Sequence, residues 1–355
     1  MKKKIFYIVL TMIVSSAVVV GLFLSSEHIM KKENPFVRRF LPHPITDVKG
    51  LELPYNSYYI SGFSEDKIYL GNYTAPLHGL VLNNVPQIID TIILSIAKFE
   101  KQKFSAIKWN FLNDTILLND YTLGVFYIKG DEKDEMTRIV RNDTLKYSIS
   151  VPLATNSYAL RTFTDKTKEK LSLALYDPFK NIFINKKSTL FESNQAQDLF
   201  SNDGMLLYNK DLQKIIYVFY YKNKSFVFNN DLEERQILET IDTISIPNFK
   251  LQYVEKQRLI KPSQIPVKVN KMAATAGNYL FIASDRIGKN ESITNYKKAT
   301  VIDVYDLRNN TYSHSFYFYH YRKTPISQFQ IFDKYIIGIG KNMLSIAQFK
   351  ESIYK

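Results

Sequence analysis

Five histidines, at positions 28, 43, 78, 314 and 320, and a complete lack of cysteine set narrow limits on the chemistry this chain can carry. Thiolate metal sites, thiol nucleophiles and structural disulfides are excluded. Only His314 and His320 are near one another, and their even spacing places both on one side of a continuous strand. Solvent-facing strand positions explain them without a metal, so neither a metal nor a cofactor is expected. The chain has no Gly-rich phosphate loop, no Gly-x-Ser-x-Gly elbow and no His-Glu-x-x-His helix. Catalysis would require distant residues to converge in the fold.

A second group of polar residues recurs just after β-type runs: Asn72, Asn119 with Asp120, Thr164 with Asp165, Asn209 with Asp211, and Asp285 with Arg286. Asn and Asp form turns readily, so their recurrence alone does not demand a ligand. Tyr73, His78, Arg161 and Arg286 add aromatic or basic chemistry that a turn does not need. If the runs are strands of a repeated unit closed into a ring, these loops converge on one rim. The candidate ligand-binding set is then Asn72, Tyr73, His78, Asn119, Arg161, Asn209 and Arg286. Trp109, the single tryptophan, is expected in an inner strand as a core residue.

The elements that would position these residues come from a repeat. Phe63-Ser-Glu-Asp-Lys-Ile-Tyr-Leu-Gly-Asn72 returns as Phe111-Leu-Asn-Asp-Thr-Ile-Leu-Leu-Asn-Asp120 and Phe200-Ser-Asn-Asp-Gly-Met-Leu-Leu-Tyr-Asn209. Shorter copies begin at Asn156, Gly277 and Asp333, which puts the turn residues at 66, 114, 156, 203, 277 and 333. Periods of about 40 to 50 residues mark propeller blades. With 25 Tyr and 24 Phe against 12 Gly and 12 Pro, the composition suits strands joined by polar turns. The expected fold is all-β, a six-bladed β-propeller of four-stranded antiparallel blades. Residues 242–269 stretch one interval and predict either a protruding hairpin, a long connection or a degenerate seventh blade. The sixth unit lacks an outer strand, and Gly50-Leu-Glu-Leu-Pro54 is expected to supply it, because ring closure removes exposed edges.

The first 28 residues are a separate object. Met1-Lys-Lys-Lys4 precedes a run from Ile5 to Leu24 without a charge, long enough at about 1.5 Å per residue to span a ~30 Å hydrocarbon core. The predicted division is a signal anchor or transmembrane helix over 1–28, a Pro-rich tether over 29–47 and the propeller over 48–355. A cleaved signal peptide is the alternative to an anchor. The positive-inside rule puts Lys2 to Lys4 in the cytoplasm and the body outside it, which in a bacterium means the periplasmic side of the inner membrane. The net charge of +13 and pI near 9.4 raise nucleic acid as a partner. Export and the scatter of Lys among Asp and Glu argue against it.

The anchor, the stretch Ile68-Tyr-Leu-Gly-Asn-Tyr-Thr-Ala-Pro-Leu-His78 and the Asp-Gly-Met-Leu-Leu-Tyr type of unit resemble a group of membrane-anchored six-bladed propeller proteins from bacteria, of the broad TolB-like or NHL-like kind. The resemblance covers about 48–350 and implies a fold, because its motifs are structural. The expected function is a non-catalytic ligand- or protein-binding scaffold in the bacterial envelope. Its partners would be the membrane through the N-terminal helix, an envelope protein or peptide, and a small sugar-like ligand, with no nucleic acid. The alternative is a propeller hydrolase or lyase acting on a sugar or lactone at the channel mouth. A redox or quinone-dependent propeller has no identifiable cofactor residues in its favour.

Overall fold

The computed structural model describes residues 2–96, 106–129, 135–163, 171–187, 191, 200–247, 249, 251–254, 259–263 and 267–350. Thr164 and Asp165, expected in one of the rim loops, lie outside the described residues, as does Ser105 at the predicted start of a strand. Helix α1 (Lys2–Glu33) contains Lys3–Ser26, a span long and apolar enough to cross a membrane and unburied by the rest of the chain. A short strand, β1 (Lys49–Glu52), comes before the first of six four-stranded blades and belongs to the last of them.

Blade 1 runs through β2 (Tyr58–Ser64), β3 (Lys67–Asn72), β4 (His78–Asn83) and β5 (Ile88–Ile93). The two-residue strand β6 (Ser95–Ile96) then crosses to pair in parallel with the outer strand of the next blade. Blade 2 comprises β7 (Ile107–Leu112), β8 (Thr115–Asp120), β9 (Val125–Lys129) and β10 (Glu135–Arg141), and blade 3 comprises β11 (Tyr147–Ala154), β12 (Ser157–Phe163), β13 (Leu171–Asp177) and β14 (Ile182–Lys187). Blade 4 follows with β15 (Gly204–Asn209), β16 (Lys214–Phe219), β17 (Lys224–Phe228) and β18 (Arg235–Glu239). Then comes a hairpin, β19 (Leu251–Val254) with β20 (Leu259–Pro262), whose strands form a sheet of their own. The stretched interval near 242–269 is thus a hairpin between blades, and the blades number six.

Blade 5 holds β21 (Asn270–Ala276), β22 (Tyr279–Ser284), β23 (Ala299–Asp306) and β24 (Thr311–Tyr319), with the short helix α2 (Ile293–Lys298) before β23. Blade 6 has β25 (Gln328–Phe332), β26 (Tyr335–Gly340) and β27 (Met343–Gln348), and β1 is its outer strand, pairing antiparallel from Lys49 with Ile346 to Glu52 with Met343. The ring therefore closes with a strand from the N-terminal side of the body, as the missing outer strand required. Inner strands touch in the order β2, β7, β11, β15, β21, β25 and back to β2.

Middle strands are buried on both faces because blades stack on one another, and every residue of β13 is buried. Outer strands such as β14 and β18 are mostly exposed. The first-to-second-strand turns explain the recurring Asp: Asn113 and Asp114 both have positive φ (48° and 59°), the backbone of a two-residue hairpin that Asn and Asp tolerate. One repeat was out of register. Asp203 precedes the first strand of blade 4, and the equivalent turn there spans 210–213, after Asn209.

Two inner strands contain residues unfavourable to a strand. β11 contains Pro152, which is tolerated because an innermost strand pairs on one side only. β21 is Asn-Lys-Met-Ala-Ala-Thr-Ala, poor in β-formers.

The stretch expected to be a tether is docked from Asn34 onward. Asn34, Phe36 and Arg38 are buried while Pro35, Val37 and Arg39 are exposed, the alternation of an extended segment lying on a surface. Leu41 N donates to Ser315 O (2.9 Å), Ser315 N donates to Arg39 O (2.8 Å), and the Phe40 ring stacks on Tyr317 at 4.6 Å.

Candidate channel site

The six inner strands enclose a central channel of about 630 Å³. A single strand edge is narrow, so what reaches the channel depends on how each strand twists. β-bulges interrupt three of the six, at Ser61 in β2, Ser148 in β11 and Lys271 in β21. A bulge leaves one residue out of the ladder and re-aims its side chain. Ser61 and Lys271 line the channel, and the buried Ser61 Oγ has no hydrogen-bond partner among the described residues.

Lys108 lines the channel from β7, where it sits opposite Asn119 at the end nearest the second-to-third-strand loops. Lys271 occupies the same end of β21, next to the Asn270–Ser284 pair. These strands belong to blades 2 and 5, which are opposite one another in a ring of six. The two ammonium groups therefore approach one mouth from opposite walls. Lys271 Nζ lies 3.2 Å from Asp285 Oδ1. Lys108 has no carboxylate partner among the described residues, and burial alone pulls its pKa below that of an ordinary lysine. None of the residues lining the channel is acidic among those described.

Aromatic rings share this mouth. Tyr73 begins the loop after β3, is 63% exposed, and packs its ring 4.3 Å from that of Tyr59. Tyr220 begins the corresponding loop after β16, with Lys268 Nζ 5.1 Å from its ring centroid. Tyr59 is fixed from behind: its hydroxyl accepts from Trp109 N at 2.6 Å, and Gly71 leaves room for the ring, because a Cβ there would lie 2.5 Å from it. Trp109 is 1% exposed, its indole Nε1 donating to Pro76 O at 2.6 Å, a core residue as expected.

The remaining candidates are placed as follows. Asn72 is buried and its Oδ1 accepts from Thr74 N and Ala75 N, both at 2.9 Å, closing the loop after β3. Asp120 does the same for Thr122 N at 2.8 Å. Asn119 is buried, receiving Asn110 Nδ2 and donating to Tyr147 OH (3.0 Å) and Ser150 Oγ (2.8 Å), so it joins blade 2 to blade 3. His78 Nε2 is 2.8 Å from the hydroxyl of Tyr58, one layer behind the channel wall.

Arg161 lies within β12 and reaches across to blade 4, to Asp203 Oδ1 (2.5 Å) and Tyr217 OH (3.1 Å). Burial pulls its pKa down, but Tyr217 and Asp203 outweigh that and raise it. Arg286 Nε is 2.7 Å from the buried Asp242 Oδ2. Asn209 requires a correction. It ends the first strand of blade 4, so its loop is a first-to-second-strand turn on the opposite rim, where its Nδ2 donates to Thr275 Oγ1 (2.6 Å) and Gly277 O (3.0 Å).

Of the expected set, Tyr73 alone lines the channel. Lys108 and Lys271 were missed by sequence reasoning. The available signal was a lysine inside the core strand Ile-Lys-Trp-Asn-Phe. Among the described residues no group of three His, Asp or Glu side chains gathers to hold a metal.

No family model matches the chain, and no curated protein matches it. Solved structures do. A member of the DUF4221 family from Bacteroides vulgatus aligns with a TM-score of 0.53 at 13% identity, over 90% of this chain and 99% of the other. A candidate exported protein from Bacteroides fragilis aligns with a TM-score of 0.53 at 8% identity, over 89% of this chain and 98% of the other. At these identities the likeness is one of fold, and the chain is a six-bladed β-propeller behind an apolar N-terminal helix.

Proposed function

We propose that this protein is a membrane-tethered, extracytoplasmic binding propeller of the bacterial envelope. In this reading α1 remains as a single-pass anchor in the cytoplasmic membrane, and the propeller stands on the periplasmic side. The observation that carries the reading is the channel of about 630 Å³, walled by all six blades and lined by hydrogen-bonding and aromatic side chains. That volume lies within the usual range of small-molecule sites. Export of a structural neighbour accords with the location. Tyr73 serves recognition at the mouth, whereas Asn72, Asn119, His78, Arg161 and Arg286 hold the walls in place.

Affinity capture of the intact membrane-inserted protein, followed by identification of what co-purifies, tests the reading. A stable envelope protein, peptide or small ligand supports it. Turnover of a sugar or lactone by the purified protein, with no stable ligand, would replace it with a hydrolase or lyase.

A further inference from the structure

We propose that the channel mouth binds an acidic sugar, a saccharide carrying a carboxylate or a phosphate, with Lys108 receiving the oxyanion. This deepens the binding reading given above and rests on it.

Three observations converge. First, the mouth has an alternating arrangement: Tyr73 and Lys108 on adjoining blades 1 and 2 face Tyr220 and Lys271 on adjoining blades 4 and 5. A sugar ring presents C–H faces to aromatic rings and hydroxyls to polar groups, and the exposed Tyr73 offers such a face. Second, among the described residues the charge lining the channel is one-sided, with Lys108 and Lys271 and no carboxylate. Asp203 is engaged by Arg161 and Asp285 by Lys271, while Lys108 keeps an ammonium with three donors and no acceptor among the described residues. Lys108 is half-buried, and even partial desolvation of an unpartnered cation is costly, so an incoming oxyanion would relieve that cost with a charge-assisted hydrogen bond. Third, the buried Ser61 Oγ in the same channel wall has no partner among the described residues, and buried hydroxyls normally have one. A bare inorganic anion would satisfy the lysine but would leave most of the channel's volume and its tyrosine face unused.

The test is isothermal titration of the full-length protein in detergent with glucuronic acid, glucose 6-phosphate, glucose and inorganic phosphate. The expected result is binding of at least one acidic sugar, with glucose and inorganic phosphate each weaker by tenfold or more. Lys108→Met should weaken the acidic sugar by about tenfold to a hundredfold, the loss of one charge-assisted hydrogen bond of ~1.5–3 kcal/mol. Lys108→Arg should retain more of the binding than Lys108→Met. Lys210→Met, in the turn on the opposite rim, should change nothing. Thermal melts of each variant verify folding.

Glucose binding as tightly as glucuronic acid, unchanged affinity in a folded Lys108→Met protein, or no binding of either acidic sugar at millimolar concentration overturns the proposal. Inorganic phosphate binding as tightly as glucose 6-phosphate overturns its saccharide part. A neutral ligand or a protein partner recovered by affinity capture would leave the binding reading standing while this one fell.

Discussion

Arg38 donates through Nε and Nη2 to both carboxylate oxygens of Asp303, at 2.7 and 3.1 Å. The pair joins a residue five positions beyond α1 to the third strand of blade 5. Glu291 takes Nη1 of the same guanidinium, and all three side chains are essentially inaccessible to solvent. Burial pulls the Arg38 pKa down, but Asp303 and then Glu291 more than offset it, so the group is held firmly cationic. Nη1 also donates to Arg286 O at 3.1 Å, so the segment leaving the apolar N-terminal helix braces the loop that carries Asp285, the partner of Lys271.

Arg38→Met strands two buried carboxylates. The expected cost is about 3–5 kcal/mol, the usual penalty for breaking a buried pair from one side. Urea denaturation measures it. A double variant, Arg38→Met with Asp303→Leu, should lose less than the sum of the two single losses, and full additivity would contradict the pairing.

Deletion series separate the apolar helix from the body. Removing 2–33 should leave the melting temperature within a few degrees of the full chain, because the described contacts with the propeller begin at Asn34. Removing 2–52 also takes away the docked Arg38 segment and β1 and exposes the edge of β27, so the melting temperature should fall sharply and aggregation should increase. Equal stability of the two deletions would show that closure by β1 contributes nothing.

Gly79 lies against the only tryptophan, and a Cβ there would come within 2.5 Å of the Trp109 ring. Gly79→Ala should cost about 1–3 kcal/mol by overpacking. It should also shift the intrinsic fluorescence, since Trp109 is the sole indole. A variant with wild-type emission and stability would refute the close approach.

Lys108→Met should stabilise the protein near neutral pH while weakening any anionic ligand, the trade expected where a site keeps a group for function. The pKa of Lys108 is depressed in the fold, so the unfolded chain binds the proton more readily. Stability of the wild type therefore rises with pH from the folded pKa up to about 10.5, the ordinary lysine value. Lys271, ion-paired to Asp285, is the other charged residue lining the channel among the described residues. The variant's advantage, about 1–2 °C for ~1 kcal/mol in a chain of this size, should shrink as pH approaches 10. A lower melting temperature at pH 7 would contradict it.

Most of the architecture was legible because it is local. Alternation and apolar runs located β2 to β5 and β15 to β18, the Asp turns located the hairpins, and the charge-free run after Lys4 located α1. Six units and one missing outer strand followed from the same repeat. β11 and β21 escaped because Pro152 and an Ala-rich segment are acceptable at the channel edge, where a strand has one neighbour. The Phe200 copy misled for a related reason: a Phe-x-x-Asp turn before a strand looks the same whether that strand is first or second in its blade. Asn209 was placed on the wrong rim as a consequence.

The sequence by itself determined which residues are strand, turn and membrane-length helix, since these depend on neighbours a few positions away. It also placed Tyr73 beside the mouth. Only the tertiary structure decided that Arg161, Arg286 and Asn119 join blades to one another or to the segment beyond them, that the segment after α1 is docked, and that Lys108 faces Lys271. Those relationships join residues tens to hundreds of positions apart, and a pairing across a ring exists only once the ring has closed.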